Sequence, residues 1–135
     1  MSSKEIEAKG LWESPDEYVD KAEEVIRTGK AQISTTKLRN LMSLVNDMRN
    51  EERLNTDKKN IGDKTAAKVA MMRVRLAYEC GRDSEVNKFV QKAELTKYLK
   101  EIKGSREKLD QFANYMEALV AFQRYYSMAQ NKGEE

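Results

Sequence analysis

The sequence predicts an all-α fold, a compact bundle of about five helices with a buried third helix at its centre, and three features carry that expectation. Charged residues make up 36% of the 135-residue chain and hydrophobic ones 39%, with one Pro and six Gly, a composition that suits long amphipathic helices better than strands joined by turns. Apolar positions recur at spacings of three and four over long stretches. The length fits one domain and can bury a continuous core without a disulfide or a structural metal.

Residues 1–13 are polar apart from Leu11 and Trp12 and show no sustained helical period, so they are expected to form a flexible tail outside the core. The bundle is expected over 14–130, with a second flexible tail over 131–135. Ser14, Pro15 and Glu17 read as a helix start: a cap, a residue suited to the first turn, and the closing acid of a capping box. This first helix runs to about Gly29, with Tyr18, Val19, Ala22, Val25 and Ile26 as its apolar stripe.

Ser34, Thr35 and Thr36 supply the next cap. In the second helix Leu38, Leu41, Met42, Val45 and Met48 share one face, while Arg39, Asn46 and Arg53 form a polar ridge on the opposite flank. Residues 55–62 hold turn formers with Lys58 and Lys59 and no periodicity, which predicts a mobile basic loop.

The third helix, about 63–80, is apolar on two sides. Ala67, Ala70, Met71, Val74 and Tyr78 make one face, and Val69, Met72, Leu76 and Cys80 project roughly opposite, a pattern suited to the middle of a bundle. Between them Lys64, Lys68, Arg75 and Arg82 fall on one narrow line at spacings of four and seven, a basic strip facing solvent; Arg73 lies apart from it. Gly81 is expected to end the helix in a left-handed cap.

A fourth helix is expected from about Ser84 to Lys103, carrying Val86, Phe89, Val90, Ala93, Leu95, Leu99 and Ile102, and Gly104 stops it. The fifth begins near Ser105 and has a wide aromatic-rich face that includes Leu109, Phe112, Tyr115, Met116, Leu119, Phe122 and Tyr126. Gln123 sits within that face. Its amide must either find a buried partner or lie at a contact with another subunit.

The charge is unevenly spread. From Lys30 to Arg82 there are twelve Lys or Arg against six Asp or Glu, net +6, leaving thirteen against seventeen, net −4, elsewhere. A basic middle is the footprint of a polyanion partner or a set of plain solvated helix faces. Cys80 is the only cysteine, which excludes an internal disulfide framework, suits a small buried apolar position and fits a reducing, cytoplasmic compartment. No basic-then-apolar leader and no stretch long enough to span a bilayer is present, so neither export nor a membrane partner is expected.

Catalytic chemistry finds few residues to use. There is no histidine, the commonest general base and metal ligand, and one cysteine cannot build a zinc site. Gly-rich phosphate loops are absent. Glu51, Glu52, Glu101 and Glu107 fall on polar faces, and Glu79 and Glu117 stand alone near helix flanks, which leaves no convergent carboxylate cluster. Met42, Met48, Met71, Met72 and Met116 fit core spacing better than an adaptable binding surface. No enzyme activity, metal, cofactor or small-molecule substrate is expected.

Four segments stand in a recognisable order: Tyr18 to Glu23 (YVDKAE), Ile33 to Leu41 (ISTTKLRNL), Leu76 to Arg82 (LAYECGR) and Tyr115 to Tyr126 (YMEALVAFQRYY). In motif and spacing the chain resembles the small subunit of type III-A CRISPR (Csm) effector complexes from about residue 18 to residue 126. Members of that family often finish in Gly-Gly-Lys after the aromatic pair, whereas Ser127, Met128, Ala129 and Gln130 follow it here. The resemblance implies a five-helix bundle stacked in several copies along guide RNA and target RNA beside other Csm subunits, with target cutting, guide processing and signal synthesis left to those subunits. It also implies RNA-backbone roles for Lys37, Arg39 and Arg82. From the ridge, loop and strip, Arg53, Lys58, Lys59, Lys64, Lys68 and Arg75 join them as candidates. A module that bridges proteins without touching RNA is the alternative, and a helical DNA-binding regulator lacks the short turn and recognition helix it needs.

Overall fold

The computed structural model describes residues 11–28 and 32–134. Among the described residues six helices follow one another: α1 Pro15–Arg27, α2 Thr35–Glu52, α3 Asp63–Arg82, α4 Ser84–Ala93, α5 Leu95–Ile102 and α6 Arg106–Glu134. The fold is all-α, and the described residues contain no strand. Glu135 and residues 1–10, with most of the expected tails, lie outside the described residues, while the backbone of α6 continues as helix to Glu134.

The centre of the bundle is α6, not the third helix. Leu109, Phe112, Ala113, Tyr115, Met116 and Leu119 expose no surface, and α6 packs against α1, α2 and α5. Each large apolar side chain so enclosed contributes about 1.5–3 kcal/mol of transfer free energy, which makes α6 the main source of cohesion. Helix α3 packs instead on α4, α2 and α5 and buries one face, Thr65, Val69, Met72 and Leu76. Its other apolar stripe is exposed: Met71 by 61%, Val74 by 57% and Tyr78 by 62%. Of the methionines expected in the core, Met48, Met72 and Met116 are buried and Met42 half-buried, but Met71 is at the surface.

The fourth predicted helix is two helices. Glu94 adopts φ 60° and ψ 39°, and its carboxylate accepts from Lys21 Nζ at 2.6 Å. This left-handed residue redirects the chain so that Phe89, Val90 and Ala93 before it, and Leu95, Tyr98, Leu99 and Ile102 after it, all reach the core. Apolar spacing continues across the break, so periodicity cannot detect it.

Several local signals resolved differently from expectation. Ser34 Oγ accepts from Lys37 N–H at 3.2 Å, as a cap should. Ser14 makes no side-chain cap, and the Glu17 carboxylate accepts from Glu13 N–H instead. Helix α3 runs through Gly81; Asp83, in extended conformation, stops α3 and caps α4 by accepting from Glu85 and Val86 N–H, so no left-handed glycine is needed there. The end of α1 falls at Arg27, and Gly29 lies outside the described residues.

Leu11 and Trp12 pack on the core rather than standing apart from it. Gln111 Oε1 accepts from Leu11 and Trp12 N–H at 2.6 and 3.1 Å, and its Nε2 donates to Trp12 O at 2.9 Å. The Trp12 ring lies 4.4 Å from Tyr98 and 5.0 Å from Tyr115, centroid to centroid. Tyr115 is buried deeply enough that its phenol is pushed well above its ordinary range, and its hydroxyl donates to Ala93 O at 2.8 Å. Gln123 finds partners inside the chain, Thr35 Oγ1 at 3.2 Å and Ile33 O at 3.0 Å.

Candidate nucleic-acid interface

On α2 the apolar residues Leu38, Leu41, Val45 and Met48 and the carboxylate of Glu52 face inward. Opposite them Thr36, Arg39, Ser43, Asn46, Asn50 and Arg53 fall within about 100° of one another on a helical projection, and all six are exposed. This sector contains no carboxylate. The predicted ridge of Arg39, Asn46 and Arg53 is therefore wider, with Thr36, Ser43 and Asn50 inside it; projecting every polar residue, rather than the heptad series alone, would have found them.

The α3 strip differs. Lys68 Nζ donates to Asp47 Oδ2 on α2 at 2.8 Å, and that bond holds the ammonium pKa above its usual value. Arg75 and Arg82 both donate to Glu79, at 3.1 and 3.0 Å, keeping its carboxyl below the ordinary range. Arg82 also sits 5.5 Å from the centroid of the Tyr78 ring. Lys37, at the start of α2, is 2.8 Å from Asp83 Oδ2 and 3.6 Å from Glu85 Oε1. Of the nine candidate cations, Lys37, Lys68, Arg75 and Arg82 thus meet acids of the same chain. For Arg39, Arg53, Lys58, Lys59 and Lys64 no ion pair occurs among the described residues.

Beside the strip, Leu44, Ala67, Met71, Met72, Val74 and Tyr78 line an open groove of about 570 Å³ between α2 and α3. Asp47, Lys68 and Arg75 also border it, so its lining is mostly apolar, unlike the outward face of α2.

The segment at 55–62, expected to be mobile, is tied down. Arg106 Nη1 donates to Asn55 O and Asp57 O at 3.1 and 2.7 Å, Asn55 Nδ2 donates to Asn60 O at 2.8 Å, and Asp57 Oδ1 accepts from Lys59 and Asn60 N–H. Glu52, expected on a polar face, is the anchor. Only 4% exposed, it accepts from Asn55 Nδ2 at 2.7 Å and Gly62 N–H at 3.2 Å and lies 3.7 Å from Arg106 Nη1. Burial alone would raise its carboxyl pKa, but these hydrogen bonds, one from Thr65 and the nearby guanidinium lower it below the ordinary range. Lys58 and Lys59 stay exposed on this fixed segment.

Against known proteins, the Csm2 Type III-A family model matches residues 13–129. A CRISPR system Cms protein Csm2 from Streptococcus thermophilus is 35% identical over 117 residues, covering 82% of this chain and 92% of that protein. The protein of the same name from Mycobacterium tuberculosis is 35% identical over 114 residues, covering 82% and 91%. One from Enterococcus italicus is 30% identical over 98 residues, covering 71% and 69%. A match over nearly all of the described bundle, from just before α1 into the last turns of α6, shows that this chain belongs to the Csm2 family of type III-A CRISPR systems.

Proposed function

We propose that the chain is a non-catalytic small subunit of a type III-A CRISPR effector complex that stacks along the guide RNA–target RNA duplex, holds RNA backbone through the outward face of α2, and so supports interference against viruses and plasmids. Family membership supports the assembly. The observation that carries the RNA contact is the acid-free sector of Thr36, Arg39, Ser43, Asn46, Asn50 and Arg53.

Arginine and amide donors suit phosphate oxygens, and hydroxyl and amide groups suit ribose 2′-OH. Where base pairing reads sequence, a subunit beside the duplex needs only to grip its shape and backbone. A face without carboxylates can approach a polyanion without like-charge repulsion. Cutting, processing and signalling then belong to other subunits.

The bridging reading has its own support in the exposed Met71, Val74 and Tyr78 of α3, because clustered apolar surface marks protein contacts. Assembled complex carrying Arg39→Glu and Arg53→Glu separates the two. Weaker target RNA binding with intact assembly carries the RNA-holding role; unchanged RNA affinity with lost assembly carries the bridging role and overturns the other.

A further inference from the structure

Two connections meet at one end of the bundle. Asn60 and Ser105 form an antiparallel bridge, Ile61 N–H donates to Gly104 O at 3.0 Å, and Arg106 N–H donates to Lys59 O at 3.0 Å. The segment between α2 and α3 and the turn between α5 and α6 are thereby joined. Residues 52–64 and 100–108 together hold eight Lys or Arg against five Asp or Glu, net +3 in a chain whose total is +2.

Of the acids at this corner, Asp57 and Glu52 are engaged within it, while Asp63, Glu101 and Glu107 have no ion pair among the described residues. Asp57 is bonded to the backbone of Lys59 and Asn60, which holds its carboxyl below the ordinary range. Glu52 is turned inward to Arg106, Asn55 and Gly62. Lys58, Lys59, Lys64 and Lys103 are exposed, and none has an ion pair among the described residues. Lys103 moreover adopts φ 47°, a left-handed conformation unfavourable for a non-glycine residue. Among the described residues Leu54 is the one large exposed apolar side chain nearby, too little for an apolar docking patch.

We propose that this corner is a preorganised RNA phosphate-binding site, in which Lys58, Lys59, Lys64 and Lys103 supply the charge and Glu52 and Arg106 act as positioning residues. The proposal rests on the RNA-holding role above and adds a second contact region with a defined support. Lysine ammonium groups are compact point charges that grip phosphate without demanding a fixed orientation. A floppy segment loses conformational entropy when it becomes ordered on binding; the Glu52–Arg106 clamp orders this one during folding. The strained Lys103 puts a cation where Gly or Asn would fit the backbone better.

The test is RNA binding by the assembled complex between about 50 and 200 mM salt. Lys58→Ala, Lys59→Ala and Lys103→Ala together are expected to lower affinity about tenfold and to flatten the slope of log K against log salt by about 2, since each lost phosphate contact removes roughly 0.7–0.9. Arg106→Lys keeps the charge on a shorter side chain, which draws the donor back from the Asn55 and Asp57 carbonyls that Nη1 serves. It is expected to weaken binding about threefold at unchanged salt slope, with faster hydrogen exchange at Lys59, Asn60 and Ile61. If exchange quickens while affinity holds, the clamp is only structural and the positioning role is overturned. If Arg39→Glu with Arg53→Glu weakens RNA binding but the triple alanine variant moves neither affinity nor slope, the corner is overturned and the α2 face stands. If neither variant moves affinity, the RNA-holding role fails and the corner with it.

Discussion

The outward face of α3 holds more cations than that of α2, yet the two present opposite surfaces. On α2, Arg39 and Arg53 stand among Ser, Thr and Asn with no acid in the sector. On α3, Lys68, Arg75 and Arg82 each bond a carboxylate of the same chain beside an exposed apolar stripe. A cation already bonded to a neighbouring acid offers a polyanion little net charge, because the acid comes with it. Counting bases along the chain therefore locates charge but not availability, and the two helices divide between a face without carboxylates and one whose cations are mostly paired beside apolar surface.

The widest expected effect concerns the acids behind those faces. Glu52→Ala removes a buried, multiply bonded carboxylate and leaves Arg106 unpaired, so it is expected to destabilise the chain by about 2–4 kcal/mol in chemical denaturation. Glu79→Ala breaks only exposed pairs and is expected to leave the denaturation midpoint unmoved. Equal losses would erase the distinction between the two ends of the comparison.

Charge reversal on the faces comes next. Arg39→Glu with Arg53→Glu is expected to weaken RNA binding by the assembled complex about tenfold or more at low salt, whereas Lys68→Glu with Arg75→Glu should cost about threefold or less. The reverse ranking would return the RNA contact to the α3 strip. Releasing the paired cations is a finer probe: Asp47→Asn with Glu79→Gln should raise affinity about twofold at most through the longer-range field, and a tenfold gain would place the strip against RNA.

The smallest effect is a titration. Arg75 and Arg82 hold the Glu79 carboxyl below its ordinary range, so its two ion pairs persist above the usual Glu pKa of about 4.3 and are lost only as pH falls through the depressed value. Carboxyl chemical shifts read this directly. A Glu79 midpoint at or above the ordinary value would mean that the pairs do not hold in solution, and that the α3 cations are free.

Much of the bundle was legible in residue order. The inward stripes of α1, α2, α4 and α5 and the core of α6 followed from helical periodicity, because an amphipathic helix must bury its apolar side somewhere. The site was legible only in part. Arg39, Asn46 and Arg53 could be placed on one flank of α2 by projection, since that relation is internal to a helix. That Lys68 meets Asp47, that Glu52 turns inward beneath Asn55 and Gly62, and that Ser105 bridges Asn60 are relations between elements, which no spacing within one element encodes.

By itself the sequence determined an all-α chain, because helix propensity, capping and apolar spacing act over a few residues and leave their mark locally, and its four motifs carried the likeness to the Csm small subunit. Only the tertiary structure decided that α6 rather than α3 forms the spine, and that the segment after α2 is clamped instead of mobile. Two apolar stripes on α3 looked alike on paper, but packing covered one and left the other in water. Which stripe is covered, and which cation keeps its charge free, depends on what lies across the gap, and residue order fixes that only through the whole fold.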